Sequence, residues 1–358
     1  MNDEPLVSVV TPVYNGADFL AECIESILNQ TYRNFEYIIV NNCSTDRTLD
    51  IALNYAKRDS RIQVHTNQEF VGVMENHNIG LNLISPQARY CKVVCADDFI
   101  FPECLTKMVE LAEAHPSVGI VGSYQLSGHG KDGRNWSVKW TQLPYPSTVI
   151  PGRQLCRYQL LTTTYVFGSP SSTMYRADIV RSNPEFYPSS SPHSDTSAIY
   201  KYLKETDFGL VHQVLAYERV HDAAISATCR ELNSYYSSWL GDLLEYGPYY
   251  LTREELDRRA NEKLREYYGF LTESVFRRRG KEFWIYHKAR LAECGHPLSY
   301  ARLARGVSLK ILDLLLNPKR TIESVLRRVT ESREPKIGGE GAATFSSVPV
   351  DLSAGGKQ

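Results

Sequence analysis

The first part of the chain alternates between short apolar runs and segments whose apolar residues recur at helical spacing. Runs rich in β-branched and aromatic residues predict strands at residues 6–11, 35–40, 62–65 and 90–96. The first of these strands should end near Thr11, because Pro12 cannot donate to a β-ladder. Strands and helices that alternate over short connections predict a parallel sheet with helices on both faces. The expected fold class is therefore α/β, with a mixed, mostly parallel sheet.

Three of these predicted strands end in polar residues. Thr11 follows the first strand, Asn41 and Asn42 follow the second, and Asp97 and Asp98 follow the fourth. Ligands of open α/β sheets bind beyond the carboxyl ends of the strands, so we expect these side chains to meet. Two adjacent carboxylates on a loop suit a hard cation such as Mg²⁺ or Mn²⁺, whose shell substrate phosphates complete. Alone, an acidic pair is more often a solvated turn; the convergence favours a metal-diphosphate site.

The overall composition excludes several classes of protein. Lys and Arg number 40 and Asp and Glu 41 in 358 residues, so no global charge indicates a nucleic-acid partner. No apolar run approaches about 18 residues, so no membrane span is expected. The 8 Cys form no Cys-x-x-Cys pair and no signal peptide is evident, so we expect reduced thiols and a cytoplasmic location.

One glycine pattern resembles a dinucleotide fingerprint without its context. Residues 128–133 read Gly-x-Gly-x-x-Gly, but residues 136–140 alternate like a strand where a helix would be required. The pattern therefore predicts a hairpin loop, and the dehydrogenase interpretation is rejected.

Further candidate groups follow in the second part of the sheet region. A broken strand pair is predicted at residues 165–176, and a Pro/Ser-rich loop at residues 184–192. Asp195 begins a predicted helix, and His221 follows a strand predicted at residues 208–217. On the residues alone, Asp195 is a helix-start carboxylate and His221 an ordinary loop residue.

From about residue 228 the chain becomes helical and basic. The amphipathic segment 298–316 fits either an anionic membrane surface or packing against the main domain or a second subunit. We expect three regions: a domain at residues 1–227, a helical extension at 228–332 and a disordered tail at 333–358.

The ordered combination of these motifs resembles the family-two glycosyltransferases of the GT-A fold. The similarity covers residues 6–226 and is carried by four stretches: residues 7–16, 38–46, 67–80 and 95–98. It implies a Rossmann-like catalytic domain, with the helical C-terminal region as an extension. It also implies an enzyme that moves a sugar from a nucleotide-diphosphate sugar to a hydroxyl acceptor, with inversion.

The resemblance assigns roles to individual residues. Those expected to bind the nucleotide sugar are Thr11, Pro12, Tyr14, Asn41, Asn67, Asn76 and Asp97. Asp98 and His221 would serve a divalent metal, Mn²⁺ or Mg²⁺, and Asp195 would be the catalytic base. The acceptor side would include Gly168, Ser169 and Ser171.

The implied partners are a donor and an acceptor. A UDP- or dTDP-linked donor is favoured; a glycan, a lipid-linked glycan or a protein could accept the sugar. Peripheral attachment at the inner face of a membrane and homo-oligomerisation are further expectations.

The chain departs from the family pattern at several positions. Asn41 and Asn42 stand where the family usually has two acids, Cys95 where it often has Asp, and Ser194 where it commonly has an acid. These changes keep open a catalytically weak, nucleotide-sugar-binding scaffold. A sugar nucleotidyltransferase is a weaker alternative, because residues 11–16 lack the basic Gly-rich loop that a triphosphate needs.

Overall fold

The computed structural model describes residues 4–317 except 130–133, 144, 146–147, 163, 189–192, 222–228 and 230. These residues form two compact units, here the sheet unit (residues 4–221) and the helical unit (residues 229–317). The predicted tail at 333–358 and the end of the predicted extension lie outside the described residues.

Ten strands of the described residues form one mixed sheet. They are β1 (Val7–Val13), β2 (Phe35–Asn41), β3 (Ile62–Thr66), β4 (Tyr90–Val93), β5 (Phe99–Ile100), β6 (Val118–His129), β7 (Arg134–Lys139), β8 (Val149–Ile150), β9 (Thr173–Arg176) and β10 (Asp207–Val220). The order is β3-β2-β1-β4-β9-β6-β10-β5, with β7 beside β6 and β8 beside β10.

The direction of the strands fixes where a ligand can bind. β3, β2, β1 and β4 pair in parallel; β9 lies antiparallel between β4 and β6, and β10 is parallel to β6. Six strands therefore run the same way and deliver their carboxyl ends to one edge. The predicted α/β class with a mixed, mostly parallel sheet is confirmed.

The predicted end of the first strand near Thr11 is wrong. β1 continues through Pro12 to Val13, and Pro12 lies opposite Val40 of β2. β4 pairs with β1 only as far as Val10, so beyond it β1 has a partner strand on one side only. The missing N–H of Pro12 is tolerated because that side of the ladder is open.

Helices cover both faces of the sheet. They are α1 (Leu20–Leu28), α2 (Thr48–Ala56), α3 (Val73–Asn82), α4 (Cys104–Ala114), α5 (Gly152–Leu161), α6 (Ala177–Arg181) and α7 (Ser194–Tyr202). The apolar stripe of α1 packs with Val9 and Tyr37 in the main core. α3 crosses the other face at Gly80, where a Cβ would lie 2.5 Å from Val10 Cγ1. That close approach is why glycine occupies the position.

Two predicted connections are partly corrected. Residues 165–176 contain one strand, β9, preceded by a 3₁₀ turn at Pro170–Ser172, rather than a strand pair. Residues 184–188 are fixed against α3, because Asn78 exchanges hydrogen bonds of 2.8 and 2.9 Å with the backbone of Tyr187. The rest of the predicted loop, 189–192, lies outside the described residues. β6 and β7 pair antiparallel, as the hairpin interpretation predicted.

The helical unit contains four long helices among its described residues: α8 (Tyr235–Tyr250), α9 (Arg253–Phe276), α10 (Lys281–Glu293) and α11 (Tyr300–Leu316). Leu240, Leu264, Tyr267, Leu271, Phe283 and Leu291 form its core. α9 begins at a capping box in which Thr252 and Glu255 satisfy each other's backbone N–H groups. Over the described ranges, no helix is long and apolar enough to cross a membrane.

Candidate active site at the carboxyl edge of the sheet

The Asp97-Asp98 pair lies beyond β4, where the sheet delivers its carboxyl ends. Polar ligand atoms of Cys95, Asp97 and Asp98 all lie within 4.8 Å of one another. His221, which follows β10, contacts the same place: its Nε2 is 3.0 Å from Asp97 Oδ2. The structure therefore brings together the residues that the sequence assigned to the metal site.

Asp98 is the more buried of the two carboxylates, with 7% of its surface exposed. Its Oδ2 accepts a 2.5 Å hydrogen bond from Ser171 Oγ, and its Oδ1 accepts one of 3.0 Å from the backbone N–H of Arg219. Burial, together with the charges of Asp97 and Glu218, raises the pKa of Asp98 well above its usual range. The side chain is therefore held in one orientation, in surroundings that disfavour its negative charge.

This donor set fits a divalent cation of the Mg²⁺ or Mn²⁺ kind. Burial raises the pKa of the Cys95 thiol well above its usual value, so the thiol stays protonated and is a poor ligand. The carboxylate oxygens of Asp97 and Asp98 are hard ligands, and each hydrogen-bonded oxygen keeps a second lone pair. Burial is the main cause of the raised pKa of Asp98, and a dication would compensate the negative charges of Asp97 and Glu218 that add to it.

Arg219 is a residue that the sequence reasoning missed. Its side chain is 8% exposed; its Nε donates to the backbone oxygen of Asp97 over 3.1 Å, and its guanidinium pairs with Glu22. With its backbone N–H on Asp98, Arg219 fixes both aspartates. The signal available in the sequence was an arginine two positions before His221, at the end of a predicted strand.

An amide cluster, formed by Asn42, Asn67 and Asn76, lies at the same edge of the sheet, where the parallel strands β2 and β3 end. Asn42 bonds both backbone groups of Val71, donating to its oxygen over 2.9 Å and accepting from its N–H over 3.0 Å. The amide nitrogen of Asn67 donates to Asn42 Oδ1 at 3.0 Å and to Asn76 Oδ1 at 2.8 Å. Asn67 Oδ1 is buried and has no hydrogen-bond partner among the described residues.

The other residues expected at the nucleotide occupy different environments. Thr11 is fully buried, and its hydroxyl accepts a hydrogen bond from Tyr37 over 3.0 Å. Pro12 is also buried. Asn41 is buried, and its Oδ1 accepts from the N–H of Ser44 over 3.2 Å.

Tyr14 is the member of the predicted set that is open to solvent. Its side chain is exposed and meets the exposed ring of Phe70 edge-on, with centroids 4.8 Å apart. The two rings come from the loops after β1 and β3, so they form an apolar rim at the carboxyl edge.

One of the predicted acceptor residues, Ser171, is joined to the predicted metal site by a hydrogen bond, and the other two bond neighbouring side chains. Gly168 has φ +90°, a conformation that favours glycine, and its carbonyl accepts from Tyr165 Oη over 3.0 Å. Ser169 Oγ donates to the side-chain oxygen of Gln125, whose amide nitrogen donates to Glu218 over 2.9 Å. Ser171 bonds Asp98 directly, as described above.

Asp195 lies in the first turn of α7, as the sequence predicted. Burial, with a smaller contribution from the charge of Glu218, raises its pKa to about 6. Asp97, Asp98, Glu218 and Asp195 are here called the carboxylate cluster, because Glu218 acts electrostatically on both Asp98 and Asp195. A carboxylate with a raised pKa is suited to exchange protons near neutral pH.

Comparisons with known sequences agree with the residue pattern. A family model described as Glycosyl transferase family 2 matches residues 8–182. An uncharacterized glycosyltransferase of Haemophilus influenzae is 38% identical over 124 residues, which are 35% of this chain and 38% of that protein. TuaG of Bacillus subtilis, a glycosyltransferase assigned to teichuronic acid biosynthesis, is 39% identical over 109 residues, 30% of this chain and 42% of that protein. RT0329 of Rickettsia typhi, an uncharacterized glycosyltransferase, is 27% identical over 262 residues, 70% of this chain and 74% of that protein.

Solved structures show the same fold at low identity. TarS 1-349 of S. aureus, in complex with UDP-GlcNAc, superposes with a TM-score of 0.60 at 19% identity over 90% of this chain and 91% of that chain. The mannosyltransferase PcManGT of Pyrobaculum calidifontis, in complex with GDP-Man and Mn²⁺, gives 0.50 at 16% identity over 90% and 84%. This chain spans less than half the length of the curated relatives from Haemophilus and Bacillus. Residues 8–182 therefore carry the sequence pattern of glycosyl transferase family 2, and the fold of the chain is that of the GT-A glycosyltransferases.

Proposed function

We propose that this chain is a metal-dependent, inverting glycosyltransferase that moves a sugar from a nucleotide-diphosphate sugar to a hydroxyl acceptor in glycan or polysaccharide synthesis. The observation that carries the proposal is the convergence of Asp97, Asp98 and His221 at the edge of the sheet where the amide cluster also lies. The relative in teichuronic acid synthesis supports a polysaccharide product. The neighbours that hold UDP-GlcNAc and GDP-Man with Mn²⁺ support a nucleotide-sugar donor and a metal.

A divalent ion would be held by Asp97 and Asp98, with His221 beside it, and when bound it would neutralise the charge that grows on the leaving diphosphate. Asn41 keeps a second lone pair on its amide oxygen, which can accept the N3–H of uracil or thymine. A UDP- or dTDP-linked donor is therefore favoured.

Asp195 would act as the general base. The oxygen of the acceptor hydroxyl attacks the anomeric carbon, and the proton of that hydroxyl passes to the Asp195 carboxylate. At the same time the bond from the anomeric carbon to the diphosphate oxygen breaks. The electron pair leaves with the nucleoside diphosphate, and attack from the opposite face inverts the anomeric configuration. Tyr165 supports this arrangement: its hydroxyl lies 2.8 Å from Thr196 Oγ1 in the first turn of α7 and also bonds Gly168.

A thermal-shift screen tests the donor assignment. The protein is heated with UDP, dTDP, GDP or CDP, each with Mn²⁺ or with EDTA. A ligand that binds only the folded state raises the melting temperature with its saturation. We expect UDP or dTDP to stabilise the protein only when Mn²⁺ is present. Stabilisation by a nucleotide in EDTA would contradict the metal requirement, and no stabilisation at all would favour the scaffold alternative.

The helical unit supports peripheral contact with an anionic membrane through residues 298–316. α11 has no fully buried residue. One side of it packs on α9, where Lys310 pairs with Glu273 over 2.7 Å. The other side exposes Leu309, Ile311, Leu312, Leu315 and Leu316. A helix with an exposed apolar face and basic neighbours can lie in the interface of an anionic bilayer.

A groove at the start of this helix carries basic and aromatic groups. It has a volume of about 380 Å³ and lies between α10 and α11. Lys281 and Lys288 flank it, and Trp284 and Tyr300 line it. Lysine ammonium groups attract lipid phosphates, and Trp and Tyr favour the boundary between headgroups and acyl chains.

Vesicle sedimentation tests the membrane contact. We expect the protein to sediment with vesicles that contain phosphatidylglycerol but not with phosphatidylcholine alone. Leu312→Glu together with Leu315→Glu should abolish this, whereas Leu53→Glu, at an exposed position of α2, should not. Failure of the wild type to sediment, combined with a dimer on gel filtration, would assign the face to a second copy.

A further inference from the structure

Lys92 is a fully buried lysine in β4. β4 lies between β1 and β9, with Lys92 opposite Val9 and Met174, so the side chain starts from the centre of the sheet. Its Nζ donates to three backbone oxygens: that of Ser171 at 2.5 Å, that of Val93 at 3.2 Å and that of Pro170 at 3.4 Å. In the described part of the chain, the ammonium group therefore makes its contacts with carbonyl oxygens rather than with a carboxylate.

A buried ammonium group is costly, so its presence needs a reason. Lysine is almost never fully buried without a partner of opposite charge, because the ion loses its hydration. The neighbouring positions of β4, Cys91 and Val93, are fully buried without carrying a charge. An apolar residue at position 92 would stabilise the sheet equally well. The role of Lys92 must therefore be sought in the contacts of its ammonium group.

Those contacts lead to Asp98 through one residue. Ser171 offers its carbonyl oxygen to Lys92, while its hydroxyl donates to Asp98 Oδ2 over 2.5 Å. The same hydroxyl accepts the backbone N–H of Cys95 over 3.0 Å. Because Lys92 holds the backbone of the 3₁₀ turn, it also fixes where the Ser171 hydroxyl lies.

We propose that Lys92 is a positioning residue that acts through Ser171 to orient the Asp98 carboxylate. The inference rests on the proposed function only where Asp98 is taken as a metal ligand. The hydrogen-bonded path from Lys92 to Asp98 exists without metal, so it can be tested without metal as well. Groups that orient a metal ligand in this way typically change metal affinity about 10- to 100-fold when they are removed.

The first test measures amide hydrogen exchange by NMR in the metal-free protein. Lys92→Met keeps an unbranched side chain that is one atom shorter and removes the hydrogen-bond donors of the ammonium group. We expect the amide protons of Cys95 and Arg219, which bond Ser171 and Asp98, to exchange at least about tenfold faster. The matched control is Lys263→Met in the helical unit, which removes another buried lysine, one paired with Glu266 at 2.8 Å. The control should leave both amides unchanged.

The second test measures Mn²⁺ binding by loss of the free-ion electron paramagnetic resonance signal, with UDP or GDP present. Lys92→Met and Ser171→Ala should each weaken Mn²⁺ binding about 10-fold or more. The double variant should bind Mn²⁺ no more weakly than either single variant, because both substitutions interrupt the same path. Lys92→Arg keeps a cationic donor and should stay closer to the wild type than Lys92→Met. If Lys92→Met does not fold, Lys92→Gln replaces it in both tests.

The outcomes separate the two proposals. Wild-type protein that binds no Mn²⁺ with either nucleotide would contradict the proposed metal site, whereas the exchange measurement would still judge the path from Lys92 to Asp98. Unchanged exchange at Cys95 and Arg219 in the neutral variant overturns the positioning role. Additive losses of Mn²⁺ affinity in the double variant overturn it too, because Lys92 would then not act through Ser171.

Discussion

The amide cluster and the carboxylate cluster occupy the same edge of the sheet but differ in charge. The amide cluster is neutral, and its side chains bond each other and the backbone of Val71, with Asn67 Oδ1 left without a partner among the described residues. The carboxylate cluster gathers like charges, and burial raises the pKa of Asp98 and of Asp195. The amide cluster therefore has its shape without a ligand, whereas the carboxylate cluster needs protons or a cation to compensate it. In the proposed function, the neutral amide cluster would face the neutral base, and the carboxylate cluster with its cation would face the charged diphosphate.

The largest effect should come from Asp195→Asn. Removing a general base costs roughly 10²- to 10⁴-fold in turnover. Asparagine has nearly the same shape as aspartate, and the hydrogen bonds that hold Asp97 and Asp98 among the described residues come from Ser171, Arg219 and His221 rather than from Asp195. The affinity for nucleoside diphosphate should therefore stay within a factor of about two. Initial rates of transfer and nucleotide titration measure the two quantities.

A matched control for this variant is Asp178→Asn. Asp178 also lies in the first turn of a helix of the sheet unit, where it pairs with Arg176 over 2.7 Å. The Asp178→Asn variant should turn over at the rate of the wild type. Equal turnover of Asp195→Asn and wild type would remove Asp195 from the role of base.

A smaller effect is expected when a charge is placed in the amide cluster. Asn42→Asp restores the acid usual in the family but loses the donor to Val71 oxygen and faces that oxygen with a carboxylate. An unpaired buried acceptor costs about 1–3 kcal/mol, so the free energy of unfolding at pH 7 should fall by that amount. Urea denaturation checks it.

The control for the amide cluster is Asn82→Asp on α3. Asn82 is exposed and donates to the backbone oxygen of Pro184 over 2.9 Å, so water can replace the lost bond. Asn82→Asp should lower the free energy of unfolding clearly less than Asn42→Asp does. Equal stability of Asn42→Asp and wild type would show that the amide cluster tolerates charge, and the contrast between the clusters would fail.

The smallest effect concerns the pH dependence of the carboxylate cluster. Asp195 accepts a proton only when ionised, so kcat/KM should fall as the pH drops through about 6 and be constant above it. The charge of Glu218 raises the pKa of Asp195, so Glu218→Gln should move this fall to lower pH. Glu110→Gln, on the exposed side of α4, should leave it in place. If the fall in kcat/KM moved to higher pH in Glu218→Gln, the charge of Glu218 would not be raising the pKa of Asp195.

The fold was largely predictable, because strands and helices alternate with clear periodicity. The expected α/β class, the convergence at one edge and the helix headed by Asp195 all appear. The end of β1 was misplaced, since tolerance of Pro12 depends on where the neighbouring β4 stops pairing. That information is carried by the pairing of two distant segments, and no local pattern contains it.

The site was predictable in part. Asp97, Asp98 and His221 meet because their strands end at one edge, which the sequence shows. Thr11 is buried beneath Tyr37, and Ser171 bonds Asp98 rather than only lining an acceptor groove. Lys92 and Arg219 act through contacts with backbone atoms far away in sequence. Only the folded chain reveals such contacts.

The most direct test of the central claim is calorimetric titration of UDP into wild-type protein and into the variant that carries both Asp97→Asn and Asp98→Asn, with Mn²⁺ or with EDTA. We expect Mn²⁺ to tighten UDP binding to the wild type at least about tenfold, because the metal would join the carboxylates to the diphosphate. The variant should bind UDP equally weakly in both buffers, with its melting temperature close to that of the wild type. A variant that keeps the full Mn²⁺ effect would contradict the claim, because the metal would then bind elsewhere.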